Sequence, residues 1–456
     1  MNTKEFKTLP LSAEMLDNLK DIGYAEMTEI QAQSLPYILE GRDVIAEAKT
    51  GSGKTAAFGI GLLHKLQVKK FRVQALILCP TRELADQVAK EIRMLARATH
   101  NVKILTLCGG VAFGPQLGSL RHGAHVIVGT PGRILKHLKK DSLSLSDVDT
   151  LVLDEADRML DMGFSEEINE VLTFVPKERQ TLLFSATYSK EILAVSASIQ
   201  NDAITVKTTA TESGNKIVER FYEVEYGKKL EVLVKIFSNF SPDNAIVFCN
   251  TKAEADEIAN TLQTKKIDAL SIHGDLEQYE RNDVLVQFAN KSCRVLVATD
   301  VAARGLDIKE LSMVVNYDIP HGSETYTHRI GRTGRAGAEG LAFTLYTPNE
   351  AQNANEYKSR NPLFEDASEL KSMNGFEMKP TNITLVIEGG KKDKVRAGDL
   401  LGALTGEAGL EGASIGKIDI YDRQSYVAIK ASEVDYAHEK LKNGKIKGKK
   451  FSVWIL

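Results

Sequence analysis

Short apolar runs without polar interruption recur along this chain, at Val44-Ile45-Ala46, Ala75-Leu76-Ile77-Leu78, Val126-Ile127-Val128, Leu151-Val152-Leu153 and Thr181-Leu182-Leu183-Phe184. Segments with helical periodicity separate them. Strict alternation would mark strands with one wet face, whereas uninterrupted runs mark strands covered on both. The repeated strand-then-helix pattern predicts a doubly wound α/β domain with a parallel sheet over residues 1–207. The polar stretch from Thr208 to Asn215 suits a linker, and the pattern then restarts at Ala245-Ile246-Val247-Phe248, Arg294-Val295-Leu296-Val297 and Met313-Val314-Val315. A second domain of the same class is expected over 208–347. Residues 348–380, rich in Asn, Glu and Lys and poor in β-branched residues, read as a helical extension and connector. In 381–456 the pattern changes to a strand at Ile383–Ile387, a helix at Lys394–Thr405, a hairpin of Lys417–Ile420 with Tyr426–Lys430, a helix at Ser432–Leu441 and a strand at Phe451–Leu456. That β-α-β-β-α-β order is ferredoxin-like, the architecture of RNA recognition modules.

At 456 residues and 43% hydrophobic content the chain needs more than one core. Charged residues interrupt every long apolar stretch, so no segment is expected to span a bilayer. The start MNTKEFKTLP has no apolar signal region, which makes the cytoplasm the expected location. No long coiled-coil pattern is present, so a monomer is expected. Cys79, Cys108, Cys249 and Cys293 lack paired spacing, which argues against a zinc site or a disulfide framework. Net charge is −3, unhelpful for nucleic acid, but 381–456 holds 13 Lys and Arg against 10 Asp and Glu. Six of those lysines fall between Lys440 and Lys450, a local basic patch.

The first apolar run leads directly into AKTGSGKT, residues Ala48, Lys49, Thr50, Gly51, Ser52, Gly53, Lys54 and Thr55. This is the phosphate-loop pattern with Ala48 in place of the first glycine, in its required position between strand and helix. Glycines let backbone N–H groups approach phosphates, Lys54 reaches the terminal phosphates, and Thr55 offers a hydroxyl to Mg²⁺. Asp154 and Glu155 end another apolar run. Asp154 suits Mg²⁺, partly through water, and Glu155 suits the orientation and deprotonation of an attacking water. In HRIGRTGR, Arg329, Arg332 and Arg335 offer planar cationic forks for a transferring phosphoryl group. Alone, the DEAD tetrapeptide ending at Asp157 fits an exposed acidic turn and the arginines fit a surface loop. In this order they suggest one nucleotide site served by two domains, which requires the domains to close.

With these motifs the chain resembles the DEAD-box RNA helicases from Phe6 to Tyr346. The resemblance also rests on Gly23-Tyr24, Met27-Thr28-Glu29-Ile30-Gln31, Pro80-Thr81-Arg82-Glu83-Leu84-Ala85, Gly109-Gly110 and Thr130-Pro131-Gly132-Arg133. It continues with Ser185-Ala186-Thr187, Val247-Phe248-Cys249-Asn250-Thr251, Gln278 with Arg281, and Ala298-Thr299-Asp300 running to Arg304-Gly305-Leu306-Asp307-Ile308. It implies two tandem RecA-like domains that use ATP. Gln31, with Thr28, would read the adenine edge, Phe6 would pack on the base, and Asp307, with Gly305, would contact the ribose. Met27 replaces a proline common in that family. Ser185, Thr187, Asp157, His328 and Arg329 would couple the nucleotide to strand separation. Arg82, Gly110, Thr130 and Arg133 in the first domain, and Asn250, Arg281 and Thr299 in the second, would line a sequence-independent RNA path.

The final segment, through Val395-Arg396-Ala397-Gly398-Asp399-Leu400-Leu401-Gly402-Ala403-Leu404, resembles the C-terminal RNA-binding domain of DbpA-type bacterial DEAD-box proteins. It implies an RRM-like domain that binds a structured hairpin of large-subunit ribosomal RNA. The first strand has no aromatic residue and the hairpin offers Tyr426 for base stacking. Lys391, Lys392, Arg396, Lys445, Lys447, Lys449 and Lys450 are the other candidate contacts, with a solvated basic face as the alternative. The expected function is an ATP-dependent RNA helicase acting in ribosome assembly. A remodeller without ribosomal specificity, a translocating DNA helicase and a non-catalytic RNA-binding scaffold are its rivals.

Overall fold

The computed structural model describes residues 4–48, 51–208, 217–303, 311–320, 322–334, 339–372 and 375–456. Lys49, Thr50, Gly305, Asp307 and Arg335 lie outside the described residues. The first domain has seven parallel strands, β1 (Val44–Glu47), β2 (Ala75–Leu78), β3 (Ile104–Leu107), β4 (Val126–Gly129), β5 (Thr150–Asp154), β6 (Gln180–Ser185) and β7 (Ile204–Lys207), in the order β3-β4-β2-β5-β6-β1-β7. Successive side chains enter opposite cores. Ala75, Ile77, Val126 and Val128 pack on one face, and Leu76, Leu78, Ile127 and Leu151 on the other. Burial on both faces explains why the strands read as uninterrupted apolar runs.

The second domain repeats the arrangement with β8 (Ile217–Glu223), β9 (Ala245–Cys249), β10 (Ala269–Ile272), β11 (Val295–Thr299), β12 (Met313–Asn316), β13 (Gly340–Tyr346) and β14 (Leu363–Asp366). Their order is β10-β11-β9-β12-β13-β8-β14. This is the first order with every strand number raised by seven, so the two domains share one topology. The strand β14 corrects the reading of 348–380 as a helical connector. Short helical turns fill Pro348–Arg360, but Leu363–Asp366 then pairs in parallel with β8, and Glu365 accepts from the Arg220 guanidinium and the Tyr222 hydroxyl. Beyond it, Ala367, Leu370 and Met378 enter the core of this domain. As an edge strand, β14 leaves Leu363 and Phe364 exposed and carries no buried run, which is why its sequence pattern is weak.

The C-terminal sheet is antiparallel, with β15 (Asn382–Ile387), β16 (Ile415–Ile420), β17 (Ser425–Lys430) and β18 (Val453–Ile455) in the order β16-β17-β15-β18. The helix between β15 and β16 is shorter than expected, Ala397–Gly402, and widens into a π-type turn over Ala403–Glu407. Leu385, Ile387, Val427 and Ile429 face the domain's own core. Alternate residues face the second domain. Val386 and Tyr426 pack on Val286, and the Tyr426 hydroxyl donates to Asp283 at 2.8 Å. The Thr384 hydroxyl lies 3.1 Å from the Asn290 amide and 2.7 Å from the Ser292 hydroxyl. Residues after the polar stretch accordingly form one compact unit that includes the C-terminal sheet. Among the described residues no helix is long and apolar enough to cross a membrane.

Thr384→Val keeps the shape but removes the partner of two buried groups. It should destabilise this unit by about 1–3 kcal/mol, read as a lower midpoint in thermal unfolding; an unchanged midpoint would show that the contact contributes nothing.

Candidate nucleotide and RNA site

From β1 the chain turns through Gly51 and Gly53, both at positive φ, into the helix Lys54–Lys65. Gly53 caps that helix at φ 95°, where an added Cβ would stand 2.5 Å from Gln31 Nε2 and 2.9 Å from Thr28 Oγ1. Only glycine fits there. The helix start has no side-chain cap, which leaves its first N–H groups for an anion. Gln31 is almost fully buried; its Oε1 accepts from the Thr28 N–H at 2.9 Å and its Nε2 donates to the Gly53 carbonyl at 3.1 Å. The residue expected to read adenine thus also braces the phosphate loop. Ala48 is buried and its N–H donates to the Ser185 carbonyl at 2.9 Å, while Phe6 is buried edge-to-face with Tyr24 at 6.3 Å.

Four buried polar atoms around this loop, Ser52 Oγ, Lys54 Nζ, Asp154 Oδ1 and Thr187 Oγ1, have no hydrogen-bond partner among the described residues. Each such group costs about 1–3 kcal/mol. Together they suit a ligand that offers phosphate oxygens and a cation at once. Burial pushes the Asp154 carboxyl up to about 7, the Lys54 ammonium opposes the rise, and Glu155 adds to it. Thr55, the second residue of the helix, is half-buried. Glu155 adopts φ 52° and ψ 52°, and its Oε2 accepts from Arg158 Nη1 at 2.8 Å. Asp157 ties this turn to the next motif, accepting the Arg158 N–H through Oδ1 and the Ala186 N–H through Oδ2, each at 2.9 Å. Ser185 Oγ accepts the Thr187 N–H at 3.3 Å.

Strand order divides this sheet edge in two. Neighbouring strands β5, β6 and β1 lead to the residues expected at the nucleotide and, at Ser185, in its coupling, while neighbouring β3, β4 and β2 lead into Gly110, Thr130 with Arg133, and Arg82, those expected on the RNA path. At ~4.8 Å per strand, β1 and β2 are about 14 Å apart. Arg133 donates to Gln116 Oε1 at 3.0 Å and to the Val111 carbonyl at 2.9 Å. Thr130 is the N-terminal flanking residue of the helix Pro131–Leu138, and Gly110 is exposed at φ 71°. Arg82 begins the helix Arg82–Leu95, with its Nε 3.8 Å from Asp86.

In the second domain the RNA-matched residues again follow three neighbouring strands. Its neighbouring β10, β11 and β9 lead to Arg281, Thr299 and Asn250 respectively. Asn250 is exposed and its N–H donates to Asp318 at 2.9 Å, Arg281 Nη2 donates to the Ala302 carbonyl at 2.7 Å, and Thr299 is buried. Arg329 is fully buried: it grips both Asp300 oxygens at 2.7 Å, donates to Asn316 and the Asp318 carbonyl, and lies over the Phe248 ring. It clamps the helix Ser323–Ile330 to three strand ends. His328 is half-buried and Arg332 buried in the same segment.

Comparison with known proteins agrees with this layout. Residues 28–195 match the family described as DEAD/DEAH box helicase, 228–337 the helicase conserved C-terminal domain, and 384–455 the DbpA RNA binding domain. The chain is 50% identical over 462 aligned residues to the ATP-dependent RNA helicase DbpA of Escherichia coli (strain K12), covering 99% of each. This chain is a DEAD-box RNA helicase of the DbpA type. The helicase is also 46% identical to the DEAD-box ATP-dependent RNA helicase CshA of Geobacillus kaustophilus, over 76% of this chain and 74% of that one. A solved structure of S. cerevisiae Dbp5 bound to RNA and ADP BeF3 superposes with a TM-score of 0.72 at 29% identity, over 80% of this chain and 96% of that one.

In the C-terminal domain of the helicase, Lys391, Lys392, Arg396, Lys445, Lys447, Lys449 and Lys450 are exposed, and Lys447 Nζ donates to the Lys394 carbonyl at 3.0 Å. Tyr426 differs from the expectation. It is 4% exposed and held by Asp283, so its ring is spent on domain packing and offers no face to a base. Its sequence gave no warning, since an aromatic on the outer face of this sheet suits either use. Sequence reasoning also missed Thr384, whose only signal is a lone hydroxyl in an apolar strand, and Arg158, which follows the DEAD tetrapeptide directly.

Gly53→Ala should force Gln31 and Thr28 away from the loop and weaken ATP binding at least about tenfold, or 1.4 kcal/mol, in a titration with a fluorescent ATP analogue. Affinity within about twofold of the parent would contradict the packing argument.

Proposed function

We propose that this helicase hydrolyses ATP in an RNA-stimulated cycle that separates short RNA duplexes locally, and that its C-terminal domain directs it to structured large-subunit ribosomal RNA during ribosome assembly. The observation that carries the reading is one sheet edge with unpartnered phosphate-site groups on one half and the RNA-matched residues on the other. Gln31 and Phe6 select the base, with Asp307 on the ribose, while the phosphate loop and Lys54 hold the phosphates. Thr55 and Asp154 would hold Mg²⁺, which neutralises phosphate charge when bound. Glu155 orients the attacking water and takes its proton. Arg332 and Arg335 stabilise the charge that develops on the transferred group, a contribution of roughly 10³ to 10⁵ in rate for such arginines.

Coupling is reciprocal. If RNA favours the state in which those arginines engage, RNA stimulates hydrolysis and ATP tightens RNA binding. The turn that joins Asp157 to Ala186 supports a route from the nucleotide to Ser185 and Thr187. The ribosomal assignment is supported by the DbpA-type C-terminal domain and its exposed lysines. We place the helicase in the cytoplasm as a monomer.

Deleting residues 381–456 would uncover Val286, so substitutions are the cleaner test. In Lys445→Ala/Lys449→Ala/Lys450→Ala, ATPase stimulation by large-subunit ribosomal RNA should fall to the level given by an unrelated RNA. The salt slope of ribosomal RNA binding should fall by about 2. Equal stimulation of the parent protein by both RNAs would remove the ribosomal assignment. Lys54→Ala should abolish hydrolysis and duplex separation; full remodelling by that variant would favour a scaffold.

A further inference from the structure

The nucleotide site contains a buried cation that the mechanism above does not use. Arg158 is 4% exposed, inside the helix Ala156–Asp161, and donates from Nη1 to Glu155 Oε2 at 2.8 Å; Glu155 is itself 4% exposed. A guanidinium loses much hydration on such burial and needs a compensating partner. Glu155 also holds a left-handed backbone, φ 52° and ψ 52°, which is uncommon for a residue with a side chain and costs roughly 1–2 kcal/mol. Strain of this kind persists only where neighbours fix it.

The fixing contacts converge on Arg158. Its side chain grips one carboxylate oxygen of Glu155, and its own N–H donates to Asp157 Oδ1, while Asp157 Oδ2 accepts from Ala186 in the adjacent Ser185–Thr187 segment. A glutamate has three side-chain torsions, and an attacking water must be met at a defined angle. Anchoring one oxygen to a buried guanidinium narrows the rotamers open to the carboxylate. A lysine at 158 could supply the charge but not the planar fork.

We infer that Arg158 is a positioning residue for hydrolysis: it fixes the rotamer of Glu155 so that the carboxylate meets the attacking water, and it links that geometry to the Ser185–Thr187 segment. This rests on the reading of Glu155 as the general base.

The test is a double-mutant cycle in the full chain with saturating RNA. Arg158→Met should lower kcat by about 10- to 100-fold, the usual effect of losing alignment, with KM for ATP and the affinity for RNA changed less than about threefold. Arg158→Lys should recover only part of the loss. On a Glu155→Gln background Arg158→Met should have little further effect on kcat, because it acts through Glu155. Equal losses on both backgrounds, or a parallel fall in ATP affinity and melting temperature, would make Arg158 merely structural and overturn the inference. A parent-like kcat for Arg158→Met would also overturn it. If Glu155→Gln itself hydrolysed ATP normally, the assignment of the base would fail first, and the two failures are distinguishable.

Discussion

A lysine and an aspartate, Lys54 and Asp154, are buried at one sheet edge with Lys54 Nζ and Asp154 Oδ1 unpartnered by hydrogen bonds among the described residues. In a stable core such groups would be paired or replaced. Here burial lifts the Asp154 carboxyl to about 7, because the surrounding protein takes the place of water around the charged form. The rest of the first domain is arranged around this debt. Gly53 gives the loop its left-handed turn, Gln31 braces it from the side, and β5, β6 and β1 bring the phosphate loop, the carboxylates and Ser185 together.

The same parallel topology occurs twice, and each time the RNA-matched residues fall on the half of the edge formed by the strands corresponding to β3, β4 and β2. A parallel sheet sends every loop that follows a strand to one edge. Two groups of residues can therefore share that edge without competing for space, and the Asp157–Ala186 bond joins the ends of β5 and β6 within one of them. In the second domain Arg329 is consumed internally by Asp300, Asn316 and Asp318. Those contacts fix the segment that carries His328 and Arg332.

Much of this was legible in the sequence, for a physical reason. Strands buried on both faces must be apolar throughout, so β1, β2, β4, β5, β6, β9 and β12 announce themselves, and the phosphate loop follows the first of them. Edge strands escape that rule. β14 has its side chains largely in solvent, and β8, the inner strand beside it, has a polar middle in Glu219 and Arg220 whose side chains pair with Arg360 and Glu365. The docking of the C-terminal sheet was also hidden, because Tyr426, Thr384 and Val386 on its outer face carry no mark that separates a partner helix from RNA. Arg158 stayed hidden because its partner lies three residues away on a turn whose left-handed residue sequence alone does not disclose.

The most direct test of the central claim, that the buried groups at the phosphate loop await an adenine nucleotide with its metal, is the thermal midpoint of the full chain with ATP and Mg²⁺, with GTP and Mg²⁺, and with AMP. The account predicts a clear rise with ATP and Mg²⁺, corresponding to about 2.7 kcal/mol at a ligand concentration of 100 times Kd, and little with GTP or AMP. An unmoved midpoint with ATP, or an equal rise with GTP, would contradict it.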